Sequence, residues 1–151
     1  MARKLLEGLI IGIDHVAVCV PDMDAGANLW TELLGLPLAH REDVAAQKTT
    51  AGFVDDPQGP GHGASLEIIS PMPGNAGLEK FLEKRGQGLH HLAVAVTDIR
   101  EALRRLDAAG VPLIDKEPRP GARGHIVAFL HPKATNGTLV ELVERHTHGG
   151  K

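Results

Sequence analysis

Apolar positions along this chain follow two periods, and the switches between them predict its elements. Over residues 9–20 apolar side chains alternate with small or polar ones, as in a strand, with His15 inside the run. Pro21-Asp22-Met23-Asp24 reads as a strand exit and a helix start, one Asp capping and the other in the first turn. Residues 25–34 then show helical spacing, with Ala27, Leu29, Trp30, Leu33 and Leu34 apolar, and Gly35 stops the helix. Strands are expected from 37 toward 41, over 48–54 and over 64–69. Residues 55–63 are too rich in Gly and Pro for regular structure. A linker over 72–88 contains a short helix at 78–84. The order then repeats: a strand at 92–96, an Asp98-capped helix over 99–109 stopped by Gly110, and strands at 111–115, 125–131 and 138–143, with 118–124 as a loop.

The repetition extends to the residues themselves. His15-Val-Ala-Val-Cys-Val-Pro-Asp-Met returns as His91-Leu-Ala-Val-Ala-Val-Thr-Asp-Ile, Gly35-Leu-Pro-Leu as Gly110-Val-Pro-Leu, and Ser65-Leu-Glu-Ile-Ile as Leu139-Val-Glu-Leu-Val. Across these three pairs the offset drifts by only about two residues, the mark of a duplicated unit. The expected fold is α+β: two tandem βαβββ modules, 10–71 and 88–144, in a single domain over 10–144, with tails at 1–9 and 145–151. Neither module has enough strands to bury both faces of a sheet. Paired, their sheets form one curled cleft enclosing a metal site.

Bulk properties narrow the partners. The chain has 151 residues and a net charge of −3, which demands neither nucleic acid nor an anionic membrane. It has no Tyr, which argues against a base-stacking surface. The single Cys19 excludes an internal disulfide, fits a reducing compartment and sits in an apolar run, as a buried, inert thiol does. With no leader pattern and no apolar stretch near the roughly 18 residues of a membrane span, the expectation is a soluble cytoplasmic protein. The Gly-rich stretch 59–63 lacks the lysine-serine pair and helix of a phosphate loop, and the end of the chain, 146–151, reads as a frayed polar tail.

The duplication places one His at the start and one Glu at the end of each module: His15 and Glu67, His91 and Glu141. Taken singly, a strand His is more often a hydrogen-bonded core residue, and a strand Glu can face outward. Four at matched positions point instead to a divalent metal. Imidazole nitrogen with carboxylate oxygen suits Co, Ni, Mn, Zn or Fe(II) without selecting one. Four protein ligands leave two adjacent octahedral positions for a bidentate oxygen substrate. An oxygen-using iron enzyme normally keeps only three protein ligands, which counts against that chemistry.

Several segments carry a family resemblance: Glu79-Lys-Phe-Leu-Glu-Lys-Arg-Gly86, Gly88-Leu-His-His-Leu-Ala93, Leu113-Ile-Asp-Lys-Glu-Pro-Arg-Pro-Gly-Ala122, Phe129-Leu-His-Pro-Lys133 and Gly137-Thr-Leu-Val-Glu-Leu142. The chain resembles the vicinal oxygen chelate superfamily and, within it, the methylmalonyl-CoA epimerases. The likeness runs from about 13 to 144, dense after 78 and looser over 39–64. It implies an epimerase interconverting (2R)- and (2S)-methylmalonyl-CoA, with His15, His91, Glu141 and, at the fourth position, Glu67 as ligands. The metal would be Co2+ ahead of Ni2+, Mn2+ or Zn2+, the partner an acyl-CoA thioester, and the assembly a homodimer.

Two departures stand out. Epimerases often carry Gln where Glu67 stands, and the His/Glu/His/Glu set also resembles lactoylglutathione lyase. Several bacterial epimerases carry an acid/base Glu at the position matching Ala51, four residues after Gln47, where no proton can be held. Glu141 is therefore expected to serve one face of the substrate and Glu67 the other, with Lys48, His62 and His125 as lesser candidates. Arg119, Arg123 and Lys133 lie on loops suited to the CoA tail, or simply face solvent. His90 is expected to point away from His91 in a structural or outer role, and His131 to be a turn or interface residue. The competing readings are a glyoxalase-type isomerisation and a metal-free small-molecule binding protein of the same fold. A single methylene, worth about 1–3 kcal/mol, separates methylmalonyl-CoA from ethylmalonyl-CoA.

Overall fold

The structure, a computed structural model, describes residues 4–58 and 62–146. The first three residues, residues 59–61 of the expected Gly/Pro loop and residues 147–151 of the expected tail lie outside the described residues. The fold is α+β, and the chain divides into two compact units: His15–His91, and Met1–Asp14 with Leu92–Lys151. Strands β1 (Ile10–Cys19) and β5 (Gly88–Val96) each begin in one unit and end in the other.

In the His15–His91 unit, β1 leads through helix α1 (Met23–Asn28) to β2 (Leu38–Val44), β3 (Thr49–Val54), β4 (Ser65–Pro71) and helix α2 (Ala76–Arg85), with strand order β2-β3-β4-β1. Because α1 and the β2–β3 hairpin lie between them, β1 and β4 pair in parallel, Ala17 opposite Glu67. The β3–β4 pair is antiparallel and sets Phe53 opposite Glu67. Period-two alternation then separates two faces. Val18, Val54 and Ile68 pack with Val20, Met23 and Ala27 in a core covered by α1, which leaves His15, Ala17, Phe53 and Glu67 on the other face.

The Asp22 side chain caps α1 by accepting from Ala25 N–H at 3.0 Å. This cap starts the helix at Met23, inside the expected Asp22-Met23-Asp24 start, and its continuation over Leu29–Leu33 is a π-helical turn. The helix can approach β1 because position 26 is glycine: a Cβ there would stand 2.6 Å from Val20 Cγ2. Gly26→Ala is therefore expected to destabilise the protein by about 1–3 kcal/mol through overpacking, read as a lower denaturant midpoint with an unchanged slope. Strand β2 runs to Val44, past the expected Arg41, since pairing with β3 continues to Val44 opposite Thr49. Cys19 is buried as expected, and burial pushes its thiol up to about 11.

In the other unit, β5 leads to helix α3 (Ile99–Ala108), then β6 (Arg119–Pro120), β7 (Ile126–Leu130) and β8 (Val140–Glu144), in the order β5-β8-β7-β6. Asp98 caps α3 through Glu101 N–H at 3.0 Å. Ile99, Ala102, Leu103 and Leu106 of α3 pack on Leu9, Val96, Ala128, Leu130 and Leu142.

The strand expected at 111–115 is not formed. The segment makes one isolated bridge, Leu113–Leu130, flanked by hydrogen bonds from Ile114 and Asp115 N–H to Phe129 O and from His131 N–H to Pro112 O. Pro112 has no N–H to give a ladder, and the Asp115 carboxylate accepts the Phe129 N–H at 2.9 Å in place of a strand carbonyl. The last partner of β7 is instead the two-residue β6, inside the segment expected to be loop, with Arg119 opposite Val127. Strand β5 begins at Gly88, four residues before the expected Leu92. Among the described residues no helix is long and apolar enough to cross a membrane.

Candidate metal centre

His15 and Glu67 reach the same face from β1 and β4, and His91 arrives on β5. His15 Nε2 and His91 Nε2 are 3.2 Å apart. Glu67 Oε1 lies 3.2 Å from the first and 3.4 Å from the second. All three residues are buried, at 4%, 7% and 7% exposure, so their charges must be satisfied within the protein. Burial alone would raise the Glu67 carboxyl. Hydrogen bonds from His15 and His91, with their charges, outweigh it and hold Glu67 down at about 2. The His15 ring stands edge-on to Phe53, centroids 6.0 Å apart.

The donor set fits a divalent ion. Ligands about 2.0–2.1 Å from one ion are separated by about 3.0 Å along an octahedral edge and about 3.4 Å along a tetrahedral one. The three separations above fall in this interval, and two imidazole nitrogens with one carboxylate oxygen are borderline and hard donors of the kind such ions take.

Glu141 lies on β8 in the other unit, 5% exposed, and its register repeats that of Glu67. It pairs in parallel with Ala93 and antiparallel with Phe129, as Glu67 pairs with Ala17 and Phe53. His15, His91 and Glu141 are each buried, and their donor types, two imidazoles and a carboxylate, are of the kind a divalent metal takes.

His90 departs from expectation. Its Nδ1 is 2.8 Å from Nδ1 of His91, and its ring meets Phe81 of α2 edge-on at 4.8 Å. Phe53 and Phe129, unmarked by any metal-ligand chemistry in the sequence, recur at the spacing of the two histidines and hold the same ladder position beside each Glu.

Ala51 is buried on β3 between Glu42 and Ile69. Lys48 occupies a left-handed turn position, φ 49°, before β3. His62 is exposed in a bend. His125 is half-buried and accepts from His146 N–H at 2.7 Å. Burial pushes its ring below the usual range, helped by Arg123, Arg145 and His146 and opposed by Asp14. Arg119 Nε is 3.5 Å from Asp115, and its guanidinium lies over Phe129 at 5.5 Å. Arg123 has φ 59° in a 3-10 turn, and Lys133 is exposed. His131 is a turn residue, its Nδ1 accepting from Lys133 N–H at 3.1 Å.

Residues 14–129 match the Glyoxalase/Bleomycin resistance protein/Dioxygenase superfamily. The chain belongs to that superfamily. Among its relatives, the uncharacterized protein YqjC of Bacillus subtilis is 38% identical over 132 residues, 87% of this chain and 91% of its own. The ethylmalonyl-CoA/methylmalonyl-CoA epimerase of Cereibacter sphaeroides is 36% identical over 132 residues, 86% of this chain and 95% of its own. A variant of the Streptomyces coelicolor methylmalonyl-CoA epimerase, solved with 2-nitronate-propionyl-CoA, superposes with a TM-score of 0.83 at 28% identity, covering 91% of this chain and 99% of that one. This superfamily member thus resembles epimerases of acyl-CoA thioesters along most of its length.

Proposed function

We propose that this chain is a metal-dependent epimerase of (2R)- and (2S)-methylmalonyl-CoA or a closely related branched malonyl-CoA. The observation that carries the reading is the buried meeting of His15 Nε2, His91 Nε2 and Glu67 Oε1 in a relative of epimerases. Glu141, at the matching ladder position of the second repeat, is the fourth ligand. The ion is Co2+ ahead of Ni2+, Mn2+ or Zn2+. When bound, it supplies positive charge to the substrate oxygens on which enolate charge develops.

The protein's own groups handle the proton. On one face the Glu141 carboxylate takes the α-proton, and the C–H electron pair passes into the enolate. On the other face Glu67 passes to carbon a proton drawn from solvent, the carbon–hydrogen bond re-forms inverted, and Glu141 sheds the α-proton to solvent. Ala51 cannot share this work. A homodimer in the cytoplasm completes the reading, which the single buried Cys19 suits.

The test uses Co2+-loaded protein and stereochemically pure methylmalonyl-CoA in deuterated water, following the α-proton and the configuration together. Washout with racemisation, both abolished by chelator, is the expected result. No washout from loaded protein would overturn the assignment. In the same assay Glu67→Gln is expected to lose inversion by about 10²-fold or more, whereas full turnover with metal bound would make Glu67 a ligand only. One observation favours a second reading: a carboxylate stands at position 67, where epimerases often carry Gln. A glyoxalase-type isomerisation of a hemithioacetal is therefore the next substrate class to assay.

A further inference from the structure

We infer that His90 is a positioning residue that sets the tautomer of His91 and ties helix α2 to the metal centre. This rests on the reading of His91 as a ligand.

Neighbouring residues of a flat strand send their side chains to opposite faces. The two rings nevertheless meet, Nδ1 to Nδ1, at 2.8 Å, with centroids 5.1 Å apart. Two facing ring nitrogens at that distance share one proton: one donates and the other accepts. The far nitrogen of His91 decides which. Its Nε2 is the atom directed at His15 Nε2 and Glu67 Oε1. To offer a lone pair to an ion there, in place of the N–H it gives Glu67 when no ion is bound, the neutral ring must carry its hydrogen on Nδ1. His91 Nδ1–H therefore donates, His90 Nδ1 accepts, and His90 keeps its own hydrogen on Nε2.

The acceptor is itself held in place. The His90 ring stands at 67° to Phe81 with centroids 4.8 Å apart, and the Arg85 guanidinium lies 5.8 Å from the Phe81 centroid. Both partners belong to α2. That helix is anchored at its start by Asn75, whose Oδ1 accepts Leu78 N–H and whose Nδ2 donates to Lys48 O at 2.9 Å and Gln47 O at 3.2 Å. The linker helix thus reaches His91 through Phe81 and His90. An outer partner of this kind fixes ring orientation and raises ligand basicity, and its loss typically costs about 10–100-fold in metal affinity.

The experiment compares His90→Phe, which keeps a ring against Phe81 but has no acceptor, with His90→Asn, whose Oδ1 can accept from His91. Co2+ affinity is measured by chelator competition and folding by the thermal midpoint of metal-free protein. His90→Phe is expected to bind Co2+ about 10–100-fold more weakly at a similar midpoint, and His90→Asn to recover most of the loss. Wild-type affinity in His90→Phe, or equal weakness in both variants, overturns the inference. Should His90→Phe fail to fold, nitrogen-15 NMR of Zn2+-loaded wild type decides: a protonated His91 Nδ1 supports the inference, and a bare or metal-bound Nδ1 overturns it. Failure of the underlying site looks different, since wild type and His91→Ala would then bind Co2+ alike.

Discussion

Glu141→Gln is expected to slow α-proton exchange on methylmalonyl-CoA by about 10²–10⁴-fold, the usual contribution of a positioned acid/base group, while the protein stays folded. Glu141 is buried on β8 between Ala93 and Phe129. Gln has the same shape there and keeps an oxygen that can ligate, but it cannot hold a proton on that oxygen. The measurement is deuterium washout from each pure epimer by Co2+-loaded variant, with bound metal determined in parallel. Full metal occupancy with lost exchange locates the fault in proton transfer. Unchanged exchange from both epimers would remove Glu141 from the chemistry.

Acid should unfold the metal-free protein through Glu67. Its carboxyl titrates at about 2 in the folded state against an ordinary 4.5. A group depressed in this way stabilises the fold fully above its unfolded value, and that stabilisation is lost as pH falls toward the folded one. The window is therefore about pH 4.5 down to about 2. Denaturant midpoints of metal-free protein, followed across this range, should fall steeply for wild type and much less for Glu67→Gln, which has no charge to lose. Parallel curves for the two proteins would show that Glu67 gains nothing from the histidines.

The repeat carried most of what could be read from the sequence. Strand and helix periods located β1, α1, β3, β4, α3, β7 and β8 because each packs one clean face, and Asp22 and Asp98 marked two helix starts by their capping chemistry. The failures have physical causes. At 111–115 the alternation looked like a strand, but Pro112 and the Asp115 side chain replace ladder contacts that a pattern cannot foresee. The π-helical turn at Leu29–Leu33 carries the same apolar spacing as an α-helix, so nothing local distinguishes it. His15, His91 and Glu67 were legible because buried ionisable residues at matched offsets are costly without a purpose. His90 was misplaced because strict alternation assigned it the opposite face, whereas its ring is positioned by Phe81 on a helix remote from that pattern.

One further property follows from where the two histidines sit in the chain. His15 and His91 are the first and last residues of a compact unit, and their ring nitrogens meet. An ion gripping both would knot the ends of that unit together, closing a loop of 76 residues. Such a tether restricts the unfolded chain far more than the folded one, and a permanent cross-link of this span is worth about 4–5 kcal/mol in chain entropy. Seen this way, the two side chains proposed for the reaction would also act as a clasp on the polypeptide, and removing a bound ion would loosen the fold as well as stop the proposed chemistry.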